Sequence, residues 1–222
     1  MSEYRISLEV SGPAAMFTRP DTGATPISYP VPTWSAAKGM FEAVLRRPHV
    51  YVHPIGVEIC KPIRFERYVT NYGGPLRKQD QIEHNNNYQL MATILVDVCY
   101  RIHGEVRMKQ MSTHGNGKPQ LRLRRGHDWR PRFKELFDER LERGQTFYTP
   151  CLGWKEFVPC YFGPLREGTK RETSVDDVIP SFLHSMWEHR QLKPKYVQDW
   201  RIVKGVMSYS HQIPTEEEFN VE

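Results

Sequence analysis

Seven basic side chains crowd the 17 residues from Lys118 to Lys134: Lys118, Arg122, Arg124, Arg125, Arg130, Arg132 and Lys134. Asp128 is the one acid among them, and His127 and Trp129 stand in the same stretch. Guanidinium and ammonium groups at that density neutralise phosphates, and arginine or tryptophan planes stack on splayed bases. The segment therefore suits contact with RNA, while a solvated basic loop is the plainer reading of the same residues. The whole chain carries a net charge of only +5, and its end, Thr215 to Glu222, is acidic. Positive charge is thus gathered in one place, as a polyanionic partner requires.

Other chemistries find little footing. The four cysteines, Cys60, Cys99, Cys151 and Cys160, make no C-x-x-C pair and have no histidine at finger-like spacing, so neither a metal nor another cofactor is expected. Glu3 and Arg5 interrupt the amino terminus within an alternating pattern, and no apolar run approaches bilayer-spanning length. A cytoplasmic protein with reduced thiols and no membrane partner is the expectation.

The elements that must position the basic segment follow from periodicity. Ile6, Leu8 and Val10 alternate with Arg5, Ser7 and Glu9 as in a half-buried strand, which Gly12-Pro13 is expected to end. Thr33 sits where an N-cap belongs, and Ala37, Met40, Phe41 and Val44 mark one stripe of a helix running to about Arg47, before Pro48. Arg46 and Arg47 would suit the negative end of that helix. Val50 to Phe65, broken at Pro54 and Pro62, predicts one or two brief strands, and Thr70 to Asn87 a loop.

From Tyr88 to Met108 apolar residues hold one parity almost without interruption, which predicts one very long strand or two in line. Thr113 to Trp129 lacks periodicity and predicts a loop. Pro131 opens a second helix with Phe133, Leu136, Phe137 and Leu141 on one stripe, closed by Gly144. Trp154 to Phe162, Val178 to Trp187 and Trp200 to Tyr209 predict strands, with Pro180 and Pro194 in the loops that join them. The order predicts an α+β fold: a ferredoxin-like core, the split βαβ arrangement of RNA-recognition modules, over residues 1–165, and a β-rich antiparallel extension over residues 166–222.

Several strings carry a more specific resemblance. They are Gly12 with Phe17-Thr18-Arg19-Pro20, then Ser28-Tyr29-Pro30-Val31-Pro32, then Ala36-Ala37-Lys38-Gly39 with Glu42-Ala43. The last is Gly144-Gln145-Thr146-Phe147-Tyr148-Thr149-Pro150-Cys151-Leu152-Gly153 with Glu156-Phe157. In that order they resemble the fifth Cas protein of type I-C CRISPR systems, of the RAMP superfamily. The resemblance implies a RAMP-type ferredoxin-like domain that binds the 5′ handle of CRISPR RNA inside the antiviral Cascade complex, beside other Cas subunits. It also implies cleavage of precursor RNA within the repeat.

A metal-free ribonuclease needs a base for the 2′-hydroxyl, an acid for the leaving 5′-oxygen and a cation for the phosphorane. The family places an aromatic or histidine near the end of the first helix and a Lys-His pair at the start of the second. Ungapped alignment on Lys38-Gly39 and Gly144-Gln145 puts Leu45, Arg132 and Phe133 there. Arg132 keeps the cation but holds its proton at neutral pH. His127, just ahead of the second helix, is then the expected proton-transfer residue. Leu45 and Phe133 fit core stripes.

The RNA-binding set is expected to be Arg19, Lys38, Arg46, Arg47, Arg122, Arg124, Arg125, Trp129 and Arg130. Phe17, Arg19 and Tyr29 lie in loop sequence that resembles the family, and the Phe and Tyr among them also read as packing residues beside prolines. His53, His84 and His103 have no companion motif and read as surface imidazoles. Two rivals stay open: a non-catalytic subunit that caps the RNA handle, and a generic binder of double-stranded nucleic acid, which makes double-stranded DNA a further candidate partner.

Overall fold

The computed structural model describes residues 4–74, 77–109, 128–188 and 191–210. Along the chain come β1 (Arg5–Ala15), α1 (Trp34–Val44), β2 (Val50–Ile59), β3 (Phe65–Tyr72), α2 (Gln79–Glu83), β4 (Tyr88–Met108) and α3 (Arg130–Glu142). β5 (Tyr161–Gly163), β6 (Asp177–Glu188), β7 (Gln191–Ile202) and β8 (Val206–Ser208) follow. The architecture is α+β with antiparallel sheets.

β4 is the spine. Its 21 residues form one strand of roughly 70 Å at the usual rise. β1 pairs along one edge of it, from Arg5 opposite Glu105 to Ala15 opposite Leu95. On the other edge β3 takes the first part of β4 and β2 the last. The strand order is β5-β1-β4-β2-β8, with β3 also on β4. β1 and β2 therefore run parallel to each other on either side of β4, joined by α1. In the same way α3 joins β4 to β5 across β1.

The alternation read from Tyr88 to Met108 sorts the two faces. Leu90, Ala92, Ile94, Tyr100, Ile102 and Val106 are buried with Ile6, Leu8 and Val10 from β1. α1 and α3 cover that face through Phe41 and Phe137, whose rings lie 5.9 Å apart. Gly104 lets α1 approach, since a Cβ there would stand 3.0 Å from the Phe41 ring. The opposite face carries Ser7, Glu9, Arg101 and His103.

Several boundaries differ from the sequence reading. β1 continues through Gly12-Pro13 to Ala15. β5 pairs only Glu9 to Ser11, so β1 is an edge strand beyond that point and tolerates a proline. α1 does begin after Thr33, whose hydroxyl accepts the Ala36 N–H at 3.2 Å. It ends at Val44, because Leu45 is already extended and the last carbonyls are taken by α3 and the chain after it. Arg140 Nε donates to Val44 O, and the Phe147 N–H donates to Ala43 O, each at 2.7 Å. Arg46 and Arg47 thus lie past the helix, and Arg140 serves its negative end in their place.

β3 reaches Tyr72 and α2 follows it, in a stretch expected to be loop. α3 closes as read, with Gly144 at φ 64 just beyond its last turn. Only Tyr161–Gly163 of the strand expected over Trp154–Phe162 is extended. The preceding residues form an irregular wedge in which Trp154 stacks on Phe157. Pro180 and Pro194 lie inside β6 and β7, which pair only with each other and so leave proline-tolerant outer edges. This hairpin docks through Phe182 against Tyr29, whose hydroxyl donates to Ser181 O at 2.9 Å and accepts the Leu183 N–H at 3.0 Å.

Candidate nucleic-acid interface

The register of the sheet brings five chain segments to one end of it. Arg5 faces Glu105 and Val50 faces Met108, so the starts of β1 and β2 meet the end of β4. The Lys109 N–H donates to His49 O at 2.9 Å, and Lys109 Nζ to Arg47 O at 3.2 Å, which ties the loop after α1 to β4. α3 starts at the same end. Trp129, the residue before it, keeps 36% of its surface exposed and sets its ring 6.0 Å from the His49 imidazole.

Cations surround this pair. Arg46 and Arg47 are exposed, and neither forms an ion pair among the described residues. The Arg130 guanidinium lies 4.6 Å from the Tyr4 ring centre and pairs with Asp128 at 2.8 Å, which holds its pKa above the usual arginine value. Arg132 projects outward with 62% of its side chain exposed and pairs with Glu135 at 3.1 Å. The structure thus brings the loop 45–49, which carries Arg46 and Arg47, to the start of α3, which carries Trp129, Arg130 and Arg132, through the contact of His49 with Trp129. The arrangement offers exposed positive charge for phosphates, a ring for a base and an imidazole between them.

The remaining expected residues are placed elsewhere or fall outside the described residues, as Arg122, Arg124, Arg125 and His127 do. Arg19 sits past the far end of β1, roughly 30 Å of strand away. There it pairs with Asp21 at 2.7 Å and lines a groove of about 430 Å³ with Tyr29, Phe65 and Ile179. Lys38 lies on α1, 5.5 Å over Trp34 and 3.6 Å from Glu42. Leu45 and Phe133 are 1% and 3% exposed within the core, so neither position faces a substrate. His49 and Tyr4 belong to the site without any mark in the sequence. No local motif signals them, because their company comes from β4 and α3, far along the chain.

The polar face of the sheet is built differently. Glu9 is fully buried, yet it accepts from the Arg166 N–H at 3.0 Å, Arg166 Nε at 2.6 Å and the Thr169 hydroxyl at 2.7 Å, with Arg101 Nε at 3.4 Å. Burial pulls the Glu9 carboxyl upward, but these donors outweigh it and hold it below its ordinary value. Beside it His103 bridges two strands. Its Nε2 lies 3.0 Å from the Glu58 carboxylate and its Nδ1 2.8 Å from the Ser7 hydroxyl. Burial again opposes ionisation of Glu58, and His103 reverses that effect.

His103 is thus a buried tie, where the sequence suggested a surface imidazole. His53 is partly buried as well; burial, and then Arg107, pull its pKa down to about 4. His84 is exposed and capped on the Asp80 carbonyl at 2.8 Å. Among the described residues no group of His, Cys, Asp and Glu is placed to hold a metal ion, and no helix is long and apolar enough to cross a membrane.

Comparison with known proteins gives these features a context. Residues 6–213 match the Cas_Cas5d family of CRISPR-associated proteins (Cas_Cas5). A CRISPR pre-crRNA endoribonuclease Cas5d of Thermus thermophilus is 31% identical over 163 residues, covering 72% of this chain and 64% of that protein. The match thus spans slightly less than two thirds of the Thermus protein's length. A CRISPR pre-crRNA endoribonuclease Cas5d of Mannheimia succiniciproducens is 29% identical over 174 residues, covering 71% of each chain. Among solved structures, a CRISPR-associated protein superposes with a TM-score of 0.65 at 17% identity, covering 98% of this chain and 95% of that one. A functionally uncharacterised Streptococcus mutans protein gives 0.64 at 16% identity, with 94% and 93% covered. These structural likenesses bear on the fold.

Proposed function

The chain belongs to the Cas5d family of CRISPR-associated proteins, and on that premise we propose that it binds the repeat-derived 5′ handle of CRISPR RNA and cleaves the precursor within the repeat. It acts as a metal-independent endoribonuclease in the cytoplasm and stays in a Cascade with other Cas subunits. The observation that supports this reading is the end of the sheet where the half-exposed Trp129 ring lies 6.0 Å from the His49 imidazole, with Arg130 next to Trp129 in the chain and the exposed Arg46 and Arg47 on the loop that carries His49. Phosphates settle on the arginines while a base stacks on the indole. His127 supplies a proton-transfer group from the segment that enters α3, and Arg132 steadies the phosphorane.

The order β5-β1-β4-β2, with α1 and α3 each joining parallel strands across an antiparallel neighbour, supports a ferredoxin-like, RRM-like RAMP domain over residues 1–165. The proposed extension over residues 166–222 rests on β6 and β7, which pair with each other, while β8 joins the main sheet beside β2. One observation favours the non-catalytic capping subunit: Leu45 and Phe133 fill core positions where the family carries proton-transfer groups.

Incubating the full chain with labelled repeat RNA in EDTA separates the two. Cleavage that disappears in His127→Ala, with RNA binding retained, supports the nuclease. Tight handle binding with no cleavage by the unmodified chain selects the capping subunit. Double-stranded DNA competing as well as repeat RNA selects the generic binder.

A further inference from the structure

Cleavage through the 2′-hydroxyl asks for two proton transfers, and the proposed function supplies one imidazole for them. Arg132 cannot act as the other, because a guanidinium stays charged at any ordinary pH. Four of the described histidines are otherwise engaged. His103 has both ring nitrogens bonded to Ser7 and Glu58. The His184 Nε2 is bonded to the Tyr209 carbonyl against the β6–β7 hairpin, and His53 lies beside Trp34 and Arg107 away from the α3 start. His84 is held on α2.

His49 differs from all of these. It follows Pro48 in the five-residue connection from α1 to β2, only partly covered, and its backbone is anchored by the Lys109 N–H. Its ring faces Trp129, and neither ring nitrogen has a hydrogen-bond partner among the described residues. An imidazole anchored through its backbone and set beside an exposed indole, at the end of the sheet where α3 brings Arg130, has the geometry of a proton acceptor at a bound phosphodiester.

We infer that His49 is a catalytic residue, the general base that takes the 2′-hydroxyl proton of the nucleotide whose neighbouring base stacks on Trp129. This rests on the nuclease reading of the protein. The freed 2′-oxygen forms its bond to phosphorus as the phosphorus–O5′ bond breaks, and the leaving 5′-oxygen takes a proton from the transfer group already assigned under the proposed function, which solvent then reprotonates. The imidazolium then returns its proton to solvent, so no further reactant is consumed. The products are a 2′,3′-cyclic phosphate and a 5′-hydroxyl. Arg130 and Lys109, on the two segments beside His49, offset the phosphorane charge, with Asp128, Glu105 and Glu135 the nearby acids.

The test uses the full chain, repeat RNA and a repeat RNA carrying 2′-deoxyriboses, which binds but cannot be cut. His49→Ala and His49→Gln should bind the deoxy-substituted RNA within about twofold of the unmodified protein, yet cleave repeat RNA at least about a hundredfold more slowly. Added imidazole should restore part of the His49→Ala rate and none of the rate of a variant that has lost RNA binding. Cleavage at the unmodified rate by both variants overturns the inference and leaves the nuclease reading standing. Loss of RNA binding in parallel with cleavage makes His49 a binding residue and also overturns it. No cleavage by the unmodified chain overturns the nuclease reading and the inference together.

Discussion

Two charged regions lie on the same sheet, and they are wired in opposite ways. On the polar face the Glu9 carboxylate is met by donors from Arg166, Thr169 and Arg101, and His103 spends both nitrogens on Ser7 and Glu58. At the cationic end, among the described residues, Arg46 and Arg47 have no acid and His49 has no hydrogen-bond partner at its ring. Charge that is fully answered inside the protein holds strands together; charge left unanswered at an exposed edge awaits a ligand. Both regions hold arginines and a histidine, and the difference lies in the two buried glutamates that answer them on the polar face.

The sharpest way to break this contrast is to remove a partner from the closed region. Arg166→Ala leaves the Glu9 carboxylate buried without its main cation and should cost about 3 kcal/mol of stability. Urea unfolding monitored by circular dichroism measures it. Because the folded Glu9 pKa lies below its ordinary 4.5, the stabilisation it gives is complete above that value and fades as pH falls through the lower folded one. The difference between the two proteins should therefore close in acid. A gap that persists at low pH would mean that Arg166 acts through packing.

Opening the other region further should affect binding and spare folding. Arg46→Ala with Arg47→Ala should lower the slope of log affinity against log salt by roughly 1.4, at about 0.7 for each single-strand phosphate that these arginines no longer neutralise. Fluorescence anisotropy with labelled repeat RNA at several salt concentrations tests this, and an unchanged slope would take both residues out of the interface. The smallest effect belongs to Arg132→Ala. Its pair with Glu135 is exposed, so the unfolding free energy should move by about 0.5 kcal/mol or less while cleavage slows. A larger drop in stability would class Arg132 with Arg166.

How much of this is legible in the sequence depends on the range of the signal. β4 is legible over its whole length, since the alternation of 21 residues survives any local disturbance. The N-cap at Thr33 and the Gly144 stop on α3 are written in adjacent residues, and the structure has both. The end of α1 is not legible, because Arg140 and Phe147, a hundred residues on, supply its cap. Prolines mislead four times: at Pro13, Pro180 and Pro194 an open strand edge removes the need for an N–H, and at Pro54 β2 continues through a register shift before Gly56. For the site, local charge density is enough to single out Trp129 and Arg130. His49 escapes it, because a single histidine after a helix carries no pattern until α3 is folded against it.

The pairing of Arg5 with Glu105 has a consequence for how the chain is made. During synthesis β1 has no partner until β4 emerges, 80 to 100 positions later, since Ala15 pairs with Leu95 and Arg5 with Glu105. Until then Ile6, Leu8 and Val10 have nothing to pack against, and the nascent chain presents an unpaired edge to whatever is nearby. Contacts of such high sequence separation make for slow collapse. Assembly of the cationic end, which needs β1, β2, β4 and α3 at once, is consequently among the later events of folding.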